Sequence, residues 1–139
     1  MRILGTDLST RMLARAQEGR YTPERIEPVP KHIRQRYFTR QGRRADAVYE
    51  VGAKLRSTVV FTRLNLHDVP YPMRGPLDAV FCRNVMIYFD VEGRIRLLQE
   101  IERLLKPGGY LFVGHAESLT GMLSAFKSVR PSVYVKKGA

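Results

Sequence analysis

The sequence predicts an α/β fold built on a mostly parallel sheet, and three observations support this prediction. Apolar strand segments alternate with helical segments along the chain, which favours a parallel sheet. Two stretches, residues 77–90 and 104–118, share one pattern in which an apolar strand ends in polar side chains. Residues 126–129 and 133–135 flank a Pro-Ser turn, which predicts a closing antiparallel hairpin at one edge of the sheet.

The chain opens with a strand-helix unit. Residues 3–5 form a short apolar strand that ends in Thr6 and Asp7, and Ser9 is a candidate N-cap for the helix that follows. Gly19 stands where a left-handed residue ends such a helix. Asp7 therefore lies at the carboxyl end of a strand, where α/β sheets bind ligands. The alternative is that Asp7 only helps Ser9 to cap the helix.

Residues 21–58 interrupt this rhythm and are predicted to be an inserted subdomain within a single domain of residues 1–139. Three prolines punctuate the start of the segment. A short helix is predicted around residues 32–38, and residues 47–51 alternate like an exposed strand.

The second half of the chain returns to strand-helix alternation. Residues 58–65 are β-branched and apolar, and the strand they predict ends in Asn65 and Leu66. Asp90 is a candidate cap for a helix over residues 91–105, which a Lys-Pro-Gly-Gly turn ends before a strand at residues 110–114. The apolar residues that recur at helical spacing in this helix are Ile95, Leu98, Ile101, Leu104 and Leu105.

Composition narrows the class of protein. The chain has 139 residues, a formal net charge of +11 and a single cysteine, Cys82, which is expected to be reduced and packed. No apolar run is long enough to span a bilayer and no signal peptide is recognisable, so we expect a cytoplasmic protein with no membrane insertion. The basic residues show no block or aromatic alternation typical of nucleic-acid binding, which favours an acidic protein partner. No ligand spacing predicts a metal site.

Four segments occur in a specific order and spacing: ILGTDLS, FTRLNL, LDAVFCRNVMIYFD and LLKPGGYLFVGHAES. Together they closely resemble the chemotaxis receptor glutamate O-methyltransferases of the CheR type, over essentially the whole chain. The resemblance implies a class I, Rossmann-like methyltransferase fold with a small inserted β-subdomain. It also implies methyl transfer from S-adenosylmethionine to glutamate side chains on the cytoplasmic helical bundle of chemotaxis receptors, with S-adenosylhomocysteine as the product.

The resemblance also assigns roles to individual residues. It implies that Asp7 accepts the ribose hydroxyls, that Asn65 and Leu66 lie along the adenine, that Arg83 and Asn84 lie beside the cofactor, and that Tyr88 lies beside the transferred methyl group.

The residues alone leave alternatives open. Arg83 is either a surface charge or a clamp for the substrate carboxylate. Arg83 and Tyr88 are the candidate catalytic residues. Asn84 can simply satisfy a turn, and Tyr88 by itself is more typical of a core aromatic whose hydroxyl reaches the rim.

One departure from the family pattern affects the expected activity. In the family, a first strand and its glycine-containing turn precede the segment that begins here at Arg2, and that strand lies between the strands at Ile3 and Leu77. We therefore expect an incomplete sheet with two unpaired apolar edges that are prone to pair with another chain, and weak cofactor binding by this chain alone. The alternative function is a non-catalytic docking module that uses residues 21–58 to hold a receptor or a receptor C-terminal peptide.

Two further enzyme classes are disfavoured. His115, Glu117 and Ser118 contain the residue types of a hydrolase triad, but they lie too close along one strand exit and the serine lacks a nucleophile elbow. The sequence Asn84-Val85-Met86 differs from the Asn/Asp-Pro-Pro-Tyr pattern of amino-group methyltransferases, which argues against nucleic-acid bases as methyl acceptors.

Overall fold

A computed structural model of the chain describes residues 1–43, 47–114, 119 and 125–138. The chain divides into two compact units, Met1–Asn65 and Leu66–Ala139.

The first unit contains a parallel strand pair. Strand β1 (Ile3–Asp7) pairs in parallel with β5 (Val59–Arg63), in a register that places Asp7 opposite Arg63. Helix α1 (Thr10–Glu18) follows β1. The Ser9 side chain accepts a hydrogen bond from the backbone N–H of Met12, and Gly19 adopts a left-handed conformation with φ of 60° at the end of the helix. Both predicted helix boundaries are confirmed.

The segment between α1 and β5 forms a separate antiparallel sheet. Its strands are β2 (Arg20–Tyr21), β3 (Phe38–Gln41) and β4 (Val48–Val51), in the order β2-β4-β3. The helices of this segment are short: α2 (Pro23–Ile26), α3 (Lys31–Tyr37) and α4 (Ala53–Arg56).

The expectation that residues 47–51 form an exposed strand is wrong. Strand β4 is the central strand of this sheet, so both of its edges are paired and its side chains are half-buried. Ala47, just before β4, is only 4% exposed.

The second unit contains a four-stranded mixed sheet in the order β6-β7-β9-β8. Strand β6 (Leu77–Cys82) pairs in parallel with β7 (Leu105–Val113). Strand β9 (Val133–Lys136) then pairs antiparallel with both β7 and β8 (Phe126–Arg130), which confirms the predicted hairpin.

The Lys-Pro-Gly-Gly sequence lies within β7 and does not precede it, so the predicted start of this strand at residue 110 is wrong. The register against β6 shifts between the pairs Leu77–Leu105 and Ala79–Tyr110, so the four intervening residues bulge out of the ladder. Gly108 has φ of 75° in this bulge, a conformation that glycine adopts without a steric penalty.

Helix α5 (Val91–Leu104) forms the core of the second unit. Asp90 caps it, with its Oδ1 accepting a hydrogen bond of 2.8 Å from the backbone N–H of Gly93. The predicted core position Ile95 is wrong, because this side chain is 38% exposed. The predicted core positions Leu98, Ile101 and Leu104 are confirmed, and Leu97, which was not predicted, completes the buried apolar stripe.

Strands β1 and β6 each lie at the end of their sheet, as expected from the sequence. Within the described ranges, β1 pairs only with β5 and β6 only with β7. Several apolar side chains of these elements are exposed, including Leu4 at 43% and Phe81 at 73%. No helix among the described residues is long and apolar enough to cross a membrane.

Candidate functional site

Asp7 and Asn65 lie at the carboxyl ends of two hydrogen-bonded parallel strands. Asp7 is the last residue of β1, and Asn65 follows the end of β5 by two residues. The parallel register brings these two strand ends to the same edge of the first unit. Arg63, opposite Asp7, donates a hydrogen bond of 3.2 Å from Nε to the carbonyl of Leu8, which ties the turn after β1 to β5.

The Asp7 carboxylate does cap the turn before α1, and this role is compatible with ligand binding. Its Oδ1 accepts a hydrogen bond of 2.8 Å from the backbone N–H of Ser9. A carboxylate has two acceptor oxygens, and Asp7 is exposed. Oδ2 is therefore available for a charge-assisted hydrogen bond to a hydroxyl group, as a ribose would require. The capping alternative is thus part of the structure without excluding ribose binding.

In the second unit, Arg83 and Asn84 directly follow β6 and are exposed. Asn84 has φ of 57°, so it occupies the left-handed region that asparagine tolerates better than most residues. This conformation supports the turn role considered for Asn84. It also turns the chain sharply at the carboxyl end of a parallel strand, the part of such sheets where ligands bind.

Tyr88 lies in a 3-10 helix, Met86–Tyr88, and its side chain is 80% exposed. The alternative that Tyr88 is a core aromatic is therefore wrong. Its neighbours Met86 and Phe89 are the buried residues of this turn. Arg94 of α5 donates from Nε to the carbonyls of Met86 at 2.9 Å and Phe89 at 3.1 Å. Arg94 therefore fixes the backbone before and after Tyr88, while the phenol hydroxyl of Tyr88, a hydrogen-bond donor and acceptor, is exposed to solvent.

Leu66 is held by a tyrosine five residues further along the chain. The Tyr71 hydroxyl donates a hydrogen bond of 2.9 Å to the carbonyl of Leu66, and Tyr71 is only 5% exposed. Helix α5 holds Tyr71 in turn, because the backbone N–H of Tyr71 donates to Glu100 Oε2 at 2.9 Å and Arg103 Nη2 donates to the carbonyl of Tyr71 at 3.3 Å. The loop that begins at Leu66 is therefore fixed to a rigid helix.

A ring contact fixes the same loop at a second point. His67 stacks on Phe89, with ring centroids 4.3 Å apart and an interplanar angle of 9°. Because Phe89 follows the turn that carries Tyr88, this contact links the Leu66 loop to the Tyr88 turn within the second unit.

The pKa values of Tyr71 and Glu100 are shifted in opposite directions, and each shift maintains the hydrogen-bonding role of its group. Burial, reinforced by the nearby Glu100 carboxylate, raises the pKa of Tyr71 to about 12, which keeps its hydroxyl protonated as a donor to Leu66. The hydrogen bonds from Arg103 hold the pKa of Glu100 below its ordinary value, and the Tyr71 backbone N–H adds to this effect. Glu100 therefore remains an ionised acceptor at neutral pH.

Sequence reasoning missed the residues that support the site: Tyr71, Arg94, Glu100 and Arg103. Glu100 and Arg103 have the spacing of a helical ion pair, which is a visible signal. Their link to Tyr71 spans 29 residues of sequence, and no local pattern indicates a contact of that kind. The serine-hydrolase alternative concerned His115, Glu117 and Ser118, which lie outside the described residues.

Comparisons with known proteins identify the family of this chain. Residues 1–135 match the family model described as CheR methyltransferase, SAM binding domain. Chemotaxis protein methyltransferase 2 of Pseudomonas aeruginosa is 37% identical over 134 residues, which cover 96% of this chain and 48% of that protein. The chemotaxis protein methyltransferase of Escherichia coli is 36% identical over 133 residues, which cover 96% of this chain and 46% of that protein.

Among solved structures, the [4+2]-cyclase SpnF is similar with a TM-score of 0.47 and 24% identity, covering 81% of this chain and 29% of that chain. The chain spans about half the length of the curated relatives it matches. The resemblance drawn from the four sequence segments is confirmed by the family match. The predicted methyltransferase fold and S-adenosylmethionine as the cofactor of this domain are confirmed with it.

Proposed function

We propose that this chain, which belongs to the CheR methyltransferase family, forms the S-adenosylmethionine-binding part of a protein-glutamate O-methyltransferase that acts on chemotaxis receptors in the cytoplasm. The observation that carries the proposal is the placement of Asp7 and Asn65 at the carboxyl ends of two paired parallel strands, in a chain matched by the family model over residues 1–135.

In this proposal the cofactor is bound by residues at the carboxyl ends of β1 and β5 and by residues that follow β6. Asp7 accepts the ribose hydroxyls through its free oxygen, and Asn65 and Leu66 contact the adenine. Arg83 and Asn84 lie beside the cofactor. The Tyr71 hydroxyl positions Leu66 through its hydrogen bond to the Leu66 carbonyl, so Tyr71 acts through Leu66 and does not touch the cofactor itself.

The proposed reaction makes modest demands on the protein. S-adenosylmethionine supplies an electrophilic methyl group on its sulfonium. A glutamate carboxylate has a reference pKa of about 4.3 and is already ionised at neutral pH, so it needs no general base. The protein must therefore orient the carboxylate and exclude water. In this proposal Arg83 orients the substrate carboxylate, and the exposed hydroxyl of Tyr88 hydrogen-bonds beside the methyl group.

A paired substitution tests the cofactor role of Asp7. We expect Asp7→Asn to weaken binding of S-adenosylhomocysteine by about tenfold or more, because a charge-assisted hydrogen bond contributes roughly 1.5–3 kcal/mol. Glu27→Gln is the matched control, since Glu27 is an exposed carboxylate at the end of α2. Saturation-transfer difference NMR is a suitable readout because it detects weak binding. Equal affinity of the two variants would contradict the proposed role of Asp7.

Methyl transfer tests the reaction itself. A protein containing this domain is incubated with S-adenosylmethionine labelled on the methyl group and with a soluble fragment of a receptor cytoplasmic bundle. We expect a base-labile methyl ester on the receptor fragment, and slower turnover with little change in cofactor affinity for Tyr88→Phe. Unchanged turnover of Tyr88→Phe would remove the role proposed for its hydroxyl.

A second candidate function is receptor docking without catalysis, the alternative that the sequence also leaves open. The observation that favours it is the separate antiparallel sheet β2-β4-β3, which has its own helices and two edge strands that can accept a peptide strand. Binding of a receptor C-terminal peptide to this chain, without methyl transfer by a protein that contains this domain, would support docking over catalysis.

A further inference from the structure

The sheet β2-β4-β3 and helix α3 form a concave surface, which we call the basic groove. It has a volume of about 310 Å³. The residues that line it are Lys31, Arg34, Gln35, Phe38, Arg40 and Tyr49. None of these residues belongs to the set proposed above to bind S-adenosylmethionine.

Two elements build the basic groove from opposite sides. Lys31, Arg34 and Gln35 have the i, i+3, i+4 spacing that places side chains on one face of α3. On the other side, Arg40 of β3 is the direct cross-strand partner of Tyr49 of β4, so these two side chains lie on the same face of the sheet.

Phe38 lies two residues before Arg40 on β3 and therefore shares the face of the sheet that carries Arg40 and Tyr49. It also directly follows the last residue of α3, Tyr37, so the helix face and the sheet face meet at Phe38. The ring of Phe38 packs edge-on against Tyr21, with centroids 6.2 Å apart, which braces this corner of the groove. The basic groove therefore lies where α3 meets the paired strands β3 and β4.

The charge of the basic groove is uncompensated within the described part of the chain. Its lining contains three cationic side chains and no carboxylate. Elsewhere in the same unit an ion pair does form, since Arg56 Nη2 lies 3.3 Å from Glu50 Oε1. Glu50 is on β4 next to Tyr49, but its register partners are Arg20 and Thr39, so it lies on the opposite face of the sheet from the groove. Three cations gathered without an acid favour the binding of an anion.

We propose that the basic groove binds the phosphate group of a nucleotide-like ligand. The two guanidinium groups of Arg34 and Arg40 match the geometry of phosphate oxygens, and Lys31 adds a third positive charge. Phosphate concentrates up to two negative charges on one group, which suits a groove lined by three cations better than a single carboxylate does. Phe38 and Tyr49 supply the aromatic surface on which a base or sugar ring packs. The volume lies at the lower end of the range typical of small-ligand sites, roughly 300–1,000 Å³.

Calorimetric titration of the whole chain tests this inference with guanosine diphosphate, guanosine and pyrophosphate as probes. Guanine compounds are chosen because adenosine is part of the cofactor proposed above, so failure here is distinguishable from failure of the proposed function. We expect guanosine diphosphate to bind, pyrophosphate to bind more weakly and guanosine not to bind detectably. Saturating S-adenosylhomocysteine should leave the guanosine diphosphate affinity unchanged.

Charge reversal locates the binding. We expect Arg40→Glu to raise the dissociation constant for guanosine diphosphate at least tenfold, while Lys54→Glu, which makes the same charge change on the exposed surface of α4, changes it less than twofold. Arg34→Gln is a milder second variant in case Arg40→Glu does not fold, and it should raise the dissociation constant about threefold to tenfold.

Three outcomes would overturn the inference. The first is no binding of guanosine diphosphate by the folded chain. The second is equal weakening by Arg40→Glu and Lys54→Glu, which would indicate attraction to net charge alone. The third is displacement of guanosine diphosphate by a short glutamate-rich peptide at lower concentration than by pyrophosphate, which would assign the basic groove to carboxylates of a protein partner.

Discussion

The two units of the chain divide its apolar core and its positive charge unequally. Among the described residues, 13 of the 17 buried hydrophobic side chains belong to Leu66–Ala139. In the sequence, 14 of the 24 Lys and Arg residues but only 6 of the 13 Asp and Glu residues belong to Met1–Asn65. The second unit is thus built for packing, and the first carries most of the excess charge.

The contrast is clearest in the helix that packs on each parallel strand pair. Helix α5 buries five residues, four of them large and apolar, whereas α1 buries only Leu13. Parallel strands are normally covered on both faces, yet Val60 of β5 is 62% exposed. The comparison indicates that α5 and its sheet hold most of the buried apolar packing of the described residues, whereas the first unit carries most of the excess positive charge.

The largest expected effect concerns the core of the second unit. Leu98 is 1% exposed, so Leu98→Ala should lower the free energy of unfolding by about 2–5 kcal/mol through lost burial and a residual cavity. Leu13→Ala should cost less, because Leu13 is the single buried residue of α1. Ile95→Ala, on the exposed side of α5, is the control and should cost little. Urea unfolding measures all three, and a larger loss for Leu13→Ala than for Leu98→Ala would invert the comparison.

The second prediction concerns the C-terminal end of α5. Lys136 of β9 donates from Nζ to the carbonyls of Glu102 at 2.6 Å and Leu105 at 2.8 Å, which pins this helix end to the hairpin. Lys136→Met should lower the free energy of unfolding by about 1–2 kcal/mol, because charged hydrogen bonds are lost and helix carbonyls lose their donor. Lys127→Met, on the exposed face of β8, is the matched control. Equal effects of the two substitutions would refute this pinning role.

The third prediction addresses the unpaired edge of β6. If that edge pairs with a second copy of the chain, as the sequence led us to expect, sedimentation velocity should show concentration-dependent dimers. Phe81→Lys should then weaken the association about tenfold, since Phe81 is 73% exposed and charge on an edge strand opposes pairing. Tyr110→Lys is the control, because Tyr110 is 46% exposed on β7, a strand that is paired on both of its edges. A strictly monomeric parent chain would contradict the expectation.

The smallest expected effect is electrostatic. Because Arg103 holds the pKa of Glu100 below its ordinary value, the stabilisation from this pair is present above that ordinary value and is lost as the pH falls through the lowered pKa. Arg103→Met should shift the pKa of Glu100 upward. Carboxyl NMR titration measures this shift, and Arg96→Met, whose partner Glu92 is exposed, is the control. No change in the Glu100 titration would show that Arg103 does not set it.

The sequence predicted the order of elements well because each has a local signal. The caps at Ser9 and Asp90, the stop at Gly19 and the hairpin after Phe126 all follow from residues within a few positions of each boundary. The errors arose where partners distant in sequence decide the outcome. Helical spacing does not reveal that Ile95 is exposed while Leu97 is buried.

In the candidate site, too, the sequence indicates some residues and not others. Polar residues at strand ends are visible in the sequence, and this pattern predicts Asp7, Asn65 and Asn84 as site residues. Their supports are not visible, because the hydrogen bond from Tyr71 to Leu66 and the stacking of His67 on Phe89 depend on how a loop packs against α5. Tyr88 is 80% exposed whereas its neighbours Met86 and Phe89 are buried, and the residue types alone do not indicate this difference.

The most direct test of the proposed cofactor site is NMR shift mapping with S-adenosylhomocysteine on the isotope-labelled chain. We expect the backbone amide signals of Asp7, Asn65, Leu66 and Asn84 to shift together along a single binding curve. Asp7→Asn should raise the dissociation constant that this curve gives. Shifts confined to other residues, or strand-end residues that respond with separate curves, would contradict the assignment of these residues to one cofactor.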